Sequence, residues 1–328
     1  MEFTRRRLLS GVAGTAGGGM LAGCLDAGPV SGPGSDRVTA RASFFVFGDV
    51  ATRVAGDTAV ADLLVPIGQH GHGWEPGPSV REDIHDAALF VHGMEGFQPW
   101  VDSIRGDLGA DGADVTTVDA SAGLDLLEAG GHGDDHEGEN HEEEEDHDHG
   151  SGVDPHFWMD PGRVTEAVGN VRQGFVDVDT DNAGSYAENA ESFRSELDEL
   201  HERIEATVAD ASTTTILVAG HDSFQYFGDR YGVSVEALTN VSPDDRPTPR
   251  DIERAQAVIE THGLRYVCVD PLESMRAAEQ LVSETDAQEV LPLTAMPGLA
   301  EEWERDGWGY VEVMENLNLP TLERALDV

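Results

Sequence analysis

The chain has 328 residues and a formal net charge of −44, and all 20 of its basic residues are arginine. Such acidity argues against nucleic acid and anionic lipid headgroups as partners, because both require basic patches. The charge also predicts a halophilic protein, since like charges destabilise a compact state unless salt screens them. With 39% hydrophobic residues the chain is not disordered, and its length suits two domains, each with its own core.

The N-terminus reads as an export signal. Residues 4–9 are Thr-Arg-Arg-Arg-Leu-Leu, a twin-arginine pattern, and a Gly/Ala stretch leads to Leu21-Ala22-Gly23-Cys24. This resembles a twin-arginine signal ending in a lipobox, with residues 1–23 as the signal and Cys24 as the lipidated first residue of the mature chain. Residues 24–37, rich in Gly, Pro and Ser, are interpreted as a tether.

The first half of the chain then alternates apolar strands with helical patterns, which predicts a parallel sheet with helices on its faces. Predicted strands cover 38–47, 58–65, 88–92 and 114–118, and predicted helices cover 49–56, 79–88 and 98–108. The loop before Trp74-Glu75-Pro76 holds two histidines, His70 and His72.

A tract of His, Asp, Glu and Gly occupies residues 131–150, and residues 153–161 follow it as Val-Asp-Pro-His-Phe-Trp-Met-Asp-Pro. Asp154-Pro155 favours a turn, and Asp160-Pro161 is typical of a helix N-cap followed by proline at the first helical position. We therefore expect His156 in a rigid loop just before a helix. Its position beside the tract indicates a transition-metal ligand; a buried histidine in a tight turn is the alternative.

A long helix is predicted in the middle of the chain, over 182–209, after a shorter one over 161–176. At 1.5 Å per residue, a helix of about 25 residues spans roughly 38 Å, enough to connect two domains. The second half repeats the alternation, with strands over 214–219, 233–238, 264–269 and 289–293 and helices over 224–231, 249–262, 274–285 and 310–326. The predicted organisation is an N-terminal α/β lobe (38–178), a linking helix (179–210) and a C-terminal α/β lobe (211–328).

Four candidate metal ligands stand out, most of them at a strand end or a helix start: His72, His156, His221 and Asp270. Ligands of open parallel sheets bind at the carboxyl ends of the strands, so two facing lobes could bring these side chains together. Three imidazoles and one carboxylate make a sensible Zn²⁺ shell. Taken singly, each has an alternative interpretation. His72 could be a loop residue, with His70 competing as the ligand, and His156 could be buried in a tight turn. His221 could cap a helix, and Asp270 could belong to an ordinary turn before proline.

Several motifs, taken in order between residues 38 and 326, resemble the zinc/manganese substrate-binding lipoproteins of ABC transporters, the metal-receptor cluster, here of a haloarchaeal type. They are Leu64-Val65-Pro66 through Trp74-Glu75-Pro76, residues 153–161, Gly220-His221-Asp222-Ser223-Phe224 with Tyr226-Phe227, Pro247–Ile252, Val269-Asp270-Pro271 and Gly309–Leu317. The resemblance implies two parallel-sheet α/β lobes joined by one long rigid helix, with the metal site in the cleft between the lobes.

The family's ligand positions carry over to His72, His156, His221 and Asp270, and its zinc members tend to have a His- and acid-rich insertion where this chain has residues 131–150. One departure is Gly71, which stands where many relatives have proline and is preceded by the extra His70. We expect this glycine to loosen the loop. The spacing to Trp74 favours His72 over His70 as the ligand.

Residues and resemblance agree on metal binding, and no catalytic residue is assigned. The expected protein is a monomer, lipid-anchored on the extracytoplasmic face of the membrane, that captures a divalent metal and hands it to an ABC permease. Three imidazoles favour zinc; manganese, which more often uses a second carboxylate, is the alternative within the family. Binding requires neutral histidines, so the affinity should fall as the pH drops through about 6.5.

Accessory roles are expected near the four ligands. Glu75, Asp154 and Asp222 are candidate acceptors that orient the histidines, with capping and turn formation as the alternative. The tract is interpreted as a weak zinc collector, or else a solvated acidic loop; its histidines are His132, His136, His141, His147 and His149. Alternatives of other classes are a zinc hydrolase using His70 or His72, His156 and Glu75 as general base, and an adhesin with incidental metal.

Overall fold

Two four-stranded parallel sheets organise the chain, which the computed structural model describes over residues 37–130, 152–243 and 245–328. The first sheet has the order β2-β1-β3-β4 and contains β1 (Thr39–Ala42), β2 (Val60–Leu63), β3 (Leu89–His92) and β4 (Thr116–Asp119). The second has the order β6-β5-β7-β8 and contains β5 (Thr215–His221), β6 (Ser234–Thr239), β7 (Tyr266–Val269) and β8 (Glu289–Pro292). The predicted fold class, two parallel-sheet α/β lobes, is confirmed.

The helices of the first lobe are α1 (Phe45–Ala55), α2 (Pro78–His85), α3 (Pro99–Asp111) and α4 (Pro161–Val178). The strand predicted over 38–47 is wrong beyond Ala42, because residues 45–47 already belong to α1. These three residues, Phe-Val-Phe, are all buried. Because this first turn of the helix is buried on every side, its apolar run shows no helical periodicity and looks like a strand in the sequence.

The long helix α5 (Ala183–Ala209) connects the lobes. It contacts α1 and α4 of the first lobe and, in the second, the helices Gln225–Tyr231 (α6), Tyr310–Val313 (α10) and Leu319–Ala325 (α11). Its buried face consists of Tyr186, Ala190, Phe193, Leu197, Leu200 and Ile204. The remaining helices are α7 (Pro249–His262), α8 (Arg276–Glu284) and α9 (Glu301–Asp306).

One hydrophobic cluster runs through both lobes and α5, where the chain length suggested two separate cores. Two smaller clusters lie within the second and the first lobe. Close to His156 the lobes are also joined by hydrogen bonds: the Trp158 indole N–H donates to the Ala295 carbonyl (2.8 Å), and the Tyr310 hydroxyl donates to the Trp158 carbonyl (2.6 Å). These hydrogen bonds therefore connect the two lobes next to His156.

Some predictions fall on residues that the structure does not describe. These are the signal over 1–23, Cys24, the tether as far as residue 36, and the tract over 131–150 with its five histidines. None of the described helices is both long enough and apolar enough to cross a membrane. Cys268 is a free thiol buried in β7, and burial raises its pKa to about 12, in keeping with a core residue.

Candidate metal centre

Three histidines from three separate segments of the chain meet between the lobes. His72 lies in the loop between β2 and α2, His156 directly precedes a short 3₁₀ helix (Phe157–Met159), and His221 ends β5. One ring nitrogen from each lies within 4.8 Å of the other two. The Nε2 atoms of His156 and His221 are only 3.2 Å apart. The first lobe thus supplies two imidazoles to this group and the second lobe supplies one.

His156 is held in a fixed orientation. It is fully buried, and its Nδ1 lies 2.7 Å from Oδ1 of Asp154, which also accepts the His156 backbone N–H (2.9 Å). With Nδ1 occupied by this carboxylate, Nε2 is left facing the other two histidines. Asp154 is itself fully buried, and its backbone carbonyl accepts the Tyr226 hydroxyl at 2.8 Å. A helix of the second lobe therefore supports a histidine of the first.

His221 has a carboxylate partner as well. Its Nδ1 lies 3.0 Å from Oε1 of Glu273, so its Nε2 is the atom that faces His156. The register of β5 shifts between Val218 and His221, and such an irregularity re-aims the residues that follow it. Sequence reasoning missed Glu273. The available signal was an acidic residue in the loop after β7, three positions after Asp270.

His72 is half-buried against aromatic rings. Its ring meets Phe44 and Phe97 edge-on, with centroids 5.3 and 5.0 Å away. Gly71 does not loosen this loop: its N–H donates to the Pro297 carbonyl (2.7 Å), and a Cβ at this position would lie 2.7 Å from the Phe44 ring. Glycine is needed here because the backbone is packed tightly, and the expected loosening was wrong.

Burial keeps two of the three imidazoles neutral. It lowers the pKa of His72 well below its ordinary value, and the neighbouring His156 and His221 add to this effect. Burial also lowers the pKa of His156, although Asp154 opposes the shift. For Glu273, burial raises the pKa, but the hydrogen bond with His221 and the nearby His70 outweigh this effect and lower the pKa to about 2. The site thus combines neutral nitrogens with an anionic neighbour, a donor set suited to a divalent cation.

Asp270 lies at the end of β7 but does not join the three histidines. Its Oδ2 accepts the Thr294 hydroxyl (2.5 Å) and the Ala295 N–H (3.2 Å), and its Oδ1 accepts the Leu272 N–H (2.8 Å). Burial raises the pKa of this carboxyl to about 6. Carboxylates that bind metals are commonly hydrogen-bonded as well, so these contacts are compatible with a ligand role for Asp270.

The chain matches, over residues 41–325, the protein-family model described as zinc-uptake complex component A, periplasmic. The chain belongs to this family. The high-affinity zinc uptake system protein ZnuA of Bacillus subtilis (strain 168) is 29% identical to it over 291 residues, which are 89% of this chain and 88% of that protein. The crystal structure of the metal-dependent lipoprotein YcdH from Bacillus subtilis superposes with a TM-score of 0.72 at 26% identity, covering 88% of this chain and 100% of that one.

The zinc-binding lipoprotein AdcA of Streptococcus pneumoniae (strain ATCC BAA-255 / R6) is 27% identical over 290 residues. These cover 87% of this chain but 55% of AdcA, so the chain spans just over half the length of that relative. The family match and the histidine group are independent observations, and both indicate metal binding.

In this member of the zinc-uptake family, two residues suggested as orienting acceptors make no hydrogen bond to a histidine ring within the described ranges. Glu75 is exposed at the edge of the cleft. Asp222 donates its backbone N–H to the Asn240 carbonyl, and burial followed by repulsion from Asp154 raises the pKa of its carboxyl to about 6. Among the three suggested acceptors, only Asp154 contacts an imidazole in this way.

Proposed function

We propose that the protein is the extracytoplasmic zinc-binding component of an ABC uptake system, which captures Zn²⁺ between its lobes and hands it to a permease. One observation carries this proposal: imidazole nitrogens of His72, His156 and His221, contributed by both lobes, lie within 4.8 Å of one another. A site built across two lobes binds its cargo when they are together and can release it when they separate.

The donor set supports zinc as the cargo. Imidazole is a preferred ligand of Zn²⁺, whereas Mn²⁺ favours carboxylate and water oxygens. Two of the imidazoles already have a carboxylate at Nδ1, an arrangement that fixes the ring and raises its basicity as a ligand. We assign Asp270 as the fourth ligand, because it stands at the end of β7, the strand next to β5 and His221.

Binding without catalysis is favoured over zinc hydrolysis. The hydrolase hypothesis depends on Glu75 as the general base, and Glu75 is exposed and forms no hydrogen bond to the three histidines in the described part of the chain. A hydrolase would need only the histidines of the first lobe. The group instead includes His221, which comes from the second lobe.

The location of the protein is part of the proposal. The twin-arginine pattern and the lipobox support export followed by lipid anchoring at Cys24, with the lobes facing outwards on the tether of residues 24–37. The net charge of −44 supports operation in high salt. We assign the tract over 131–150 the accessory role of collecting zinc, and we propose that the protein acts as a monomer.

The direct test is zinc content and competition titration of the mature protein in molar salt, with and without residues 131–150. We expect one tightly bound zinc in both forms, with manganese failing to displace it. Tight binding that disappears with the tract would overturn the assignment of the histidine group. Zinc-dependent turnover that is lost in His72→Ala but retained in His221→Ala would instead establish the hydrolase.

A further inference from the structure

A cleft of about 1060 Å³ leads from solvent towards the histidine group. The first lobe lines it with the loop that carries His70 and Trp74, and the second lobe lines it with the end of β5 and the loop before α8. His221 and Glu273 line its wall, whereas His72 and His156 are not among the described residues that line it. An ion that enters through the cleft therefore meets His70, Glu273 and His221 before it can reach the other two histidines.

The side chains at this boundary are arranged around one carboxylate oxygen. Oε1 of Glu273 lies 3.0 Å from Nδ1 of His221 and 3.7 Å from Nε2 of His70. The side chains of Glu273 and His70 are 21% and 25% exposed, while His156 is completely buried. The His70 ring centroid is 5.1 Å from that of His72 and 6.2 Å from that of His221. His70 and Glu273 thus stand on the solvent side of the histidine group and within a few ångströms of it.

Resting on the zinc-uptake function proposed above, we infer that His70 and Glu273 form an outer transfer site for Zn²⁺. An ion arriving through the cleft is held by Nε2 of His70 and the carboxylate of Glu273, with water completing its coordination. It then passes to the inner group of His72, His156 and His221. One imidazole and one carboxylate are acceptable zinc ligands, and two protein ligands hold the ion loosely enough to let it move on.

The geometry of His221 separates the outer site from the inner one. The two nitrogens of an imidazole point in different directions, and here Nδ1 faces Glu273 while Nε2 faces His156. An ion bound to Nε2 lies on the side of the ring away from Glu273. In this ring orientation Glu273 orients His221 and receives the arriving ion, and it is not a ligand of the inner zinc.

A transfer site has a kinetic signature that a ligand of the final site lacks. Because it lowers the barrier between solvent and the inner group, it speeds association and dissociation by the same factor and leaves their ratio, the affinity, unchanged. A ligand of the inner zinc stabilises the bound state itself, so its removal raises the dissociation rate and weakens the affinity. The two roles predict opposite changes in the dissociation rate.

The experiment compares the mature wild type, His70→Ala and the control His85→Ala, an exposed histidine at the end of α2. Each is prepared with and without residues 131–150, in molar salt. Stopped-flow mixing with zinc gives the association rate, release into excess chelator gives the dissociation rate, and competition titration gives Kd. We expect both rates of His70→Ala to fall about tenfold, within the decades over which association rates vary among variants, with Kd within about twofold of wild type. His85→Ala should match wild type.

A second variant, Glu273→Gln, keeps the size of the side chain but removes its charge. The association rate should fall about as in His70→Ala, and Kd should also rise by about 10- to 100-fold, because this carboxylate additionally orients His221. Faster dissociation and weaker affinity in His70→Ala would make His70 a ligand of the inner zinc, and unchanged rates would make it a bystander; either result overturns the inference. Failure of the wild type to bind zinc at all would instead overturn the proposed function.

Discussion

The two sides of the metal centre are lined by different kinds of side chain. On the first lobe, His72 and His156 stand against an aromatic wall: Phe44 and Phe97 pack on the first, and Trp158 packs edge-on to the second with centroids 5.3 Å apart. On the second lobe, His221 has the carboxylate of Glu273 as its partner, and it lines the solvent cleft. One side of the centre, the dry side, is lined by aromatic rings, and the other, the polar side, has a carboxylate that borders the solvent cleft.

This difference divides the work of binding. The aromatic wall removes water from His72 and His156 and keeps their imidazoles neutral, so no proton has to leave before zinc binds. The polar side provides an anion near the ion's path and a carboxylate that orients His221. Under the proposed function, the first lobe supplies two of the three imidazoles that bind zinc, while His221 and Glu273 of the second lobe line the cleft through which the ion arrives.

Residues that flank the tract (131–150) connect the first lobe to the second. Residues Glu128 and Val153 form an antiparallel bridge just before and after the tract. From the second lobe, the Tyr226 hydroxyl accepts the Leu127 N–H (2.9 Å) and donates to the Asp154 carbonyl (2.8 Å). Because Asp154 in turn orients His156, the second lobe helps to position a ligand of the first. Such preorganisation lowers the ordering cost that binding has to offset.

The largest effect is expected when the dry side loses a ligand. His156→Ala should weaken zinc affinity by about 100- to 1,000-fold, since one of four ligands carries about a quarter of the 10–16 kcal/mol that such sites supply. Competition titration measures the change, and the exposed His85→Ala serves as the control. A loss below tenfold would place the tight site elsewhere in the chain.

The next effect tests whether support on the dry side depends on a hydrogen bond or on charge alone. Asp154→Asn replaces the carboxylate that lies 2.7 Å from His156 Nδ1, and loss of such a partner costs about 10- to 100-fold in metal affinity. Asp222→Asn is the matched variant, because Asp222 follows His221 directly but makes no hydrogen bond to its ring within the described residues. We expect it to stay within about threefold of wild type. Equal losses in the two variants would contradict the orienting role of Asp154.

The smallest effect is a displaced pH dependence. Because the pKa values of His72 and His156 are lowered, both remain neutral as the pH falls through 6.5, and protons compete with zinc for them only below that value. The fall in affinity expected near pH 6.5 from unperturbed histidines should therefore begin at lower pH. Titrations between pH 7.5 and 5 check this, and a loss of about tenfold between pH 7 and 6, as two ordinary histidines of pKa about 6.5 would give, would contradict it.

The same shifts affect the stability of the metal-free protein. The unfolded chain takes up protons at the ordinary histidine pKa of about 6.5, while the folded chain does so only at lower pH. The stabilisation is therefore fully present above pH 6.5 and is lost as the pH falls through the lowered folded values. Melting temperatures of the metal-free protein should decrease in this window, and those of His156→Ala should decrease less.

Local signals in the sequence were sufficient where one segment determines its own structure. Helix α7 begins at Pro249 and ends at His262 as predicted, because Thr248 and Asp251 form a capping box and Gly263 ends the helix in the left-handed conformation. The N-cap at Asp160 formed likewise, with its side chain accepting the Gly162 N–H. The turn that holds His156 is of this kind.

Long-range contacts were beyond the sequence. The sequence around Gly71 does not show that Phe44 and Pro297 contact this glycine, or that the loop is tightly packed. The sequence also does not show that Glu273, and not Asp222, contacts His221 in the second lobe. Which carboxylate meets which histidine depends on how separate loops pack, and no periodicity within one segment encodes that.

Zinc K-edge X-ray absorption of the protein lacking residues 131–150, loaded with one equivalent of zinc, tests whether the three histidines bind the ion. We expect a four-coordinate ion with three imidazoles at Zn–N distances of about 2.0–2.1 Å and one carboxylate oxygen, and loss of one imidazole in His221→Ala. A shell of oxygens alone, or an imidazole count that His221→Ala leaves unchanged, would contradict it.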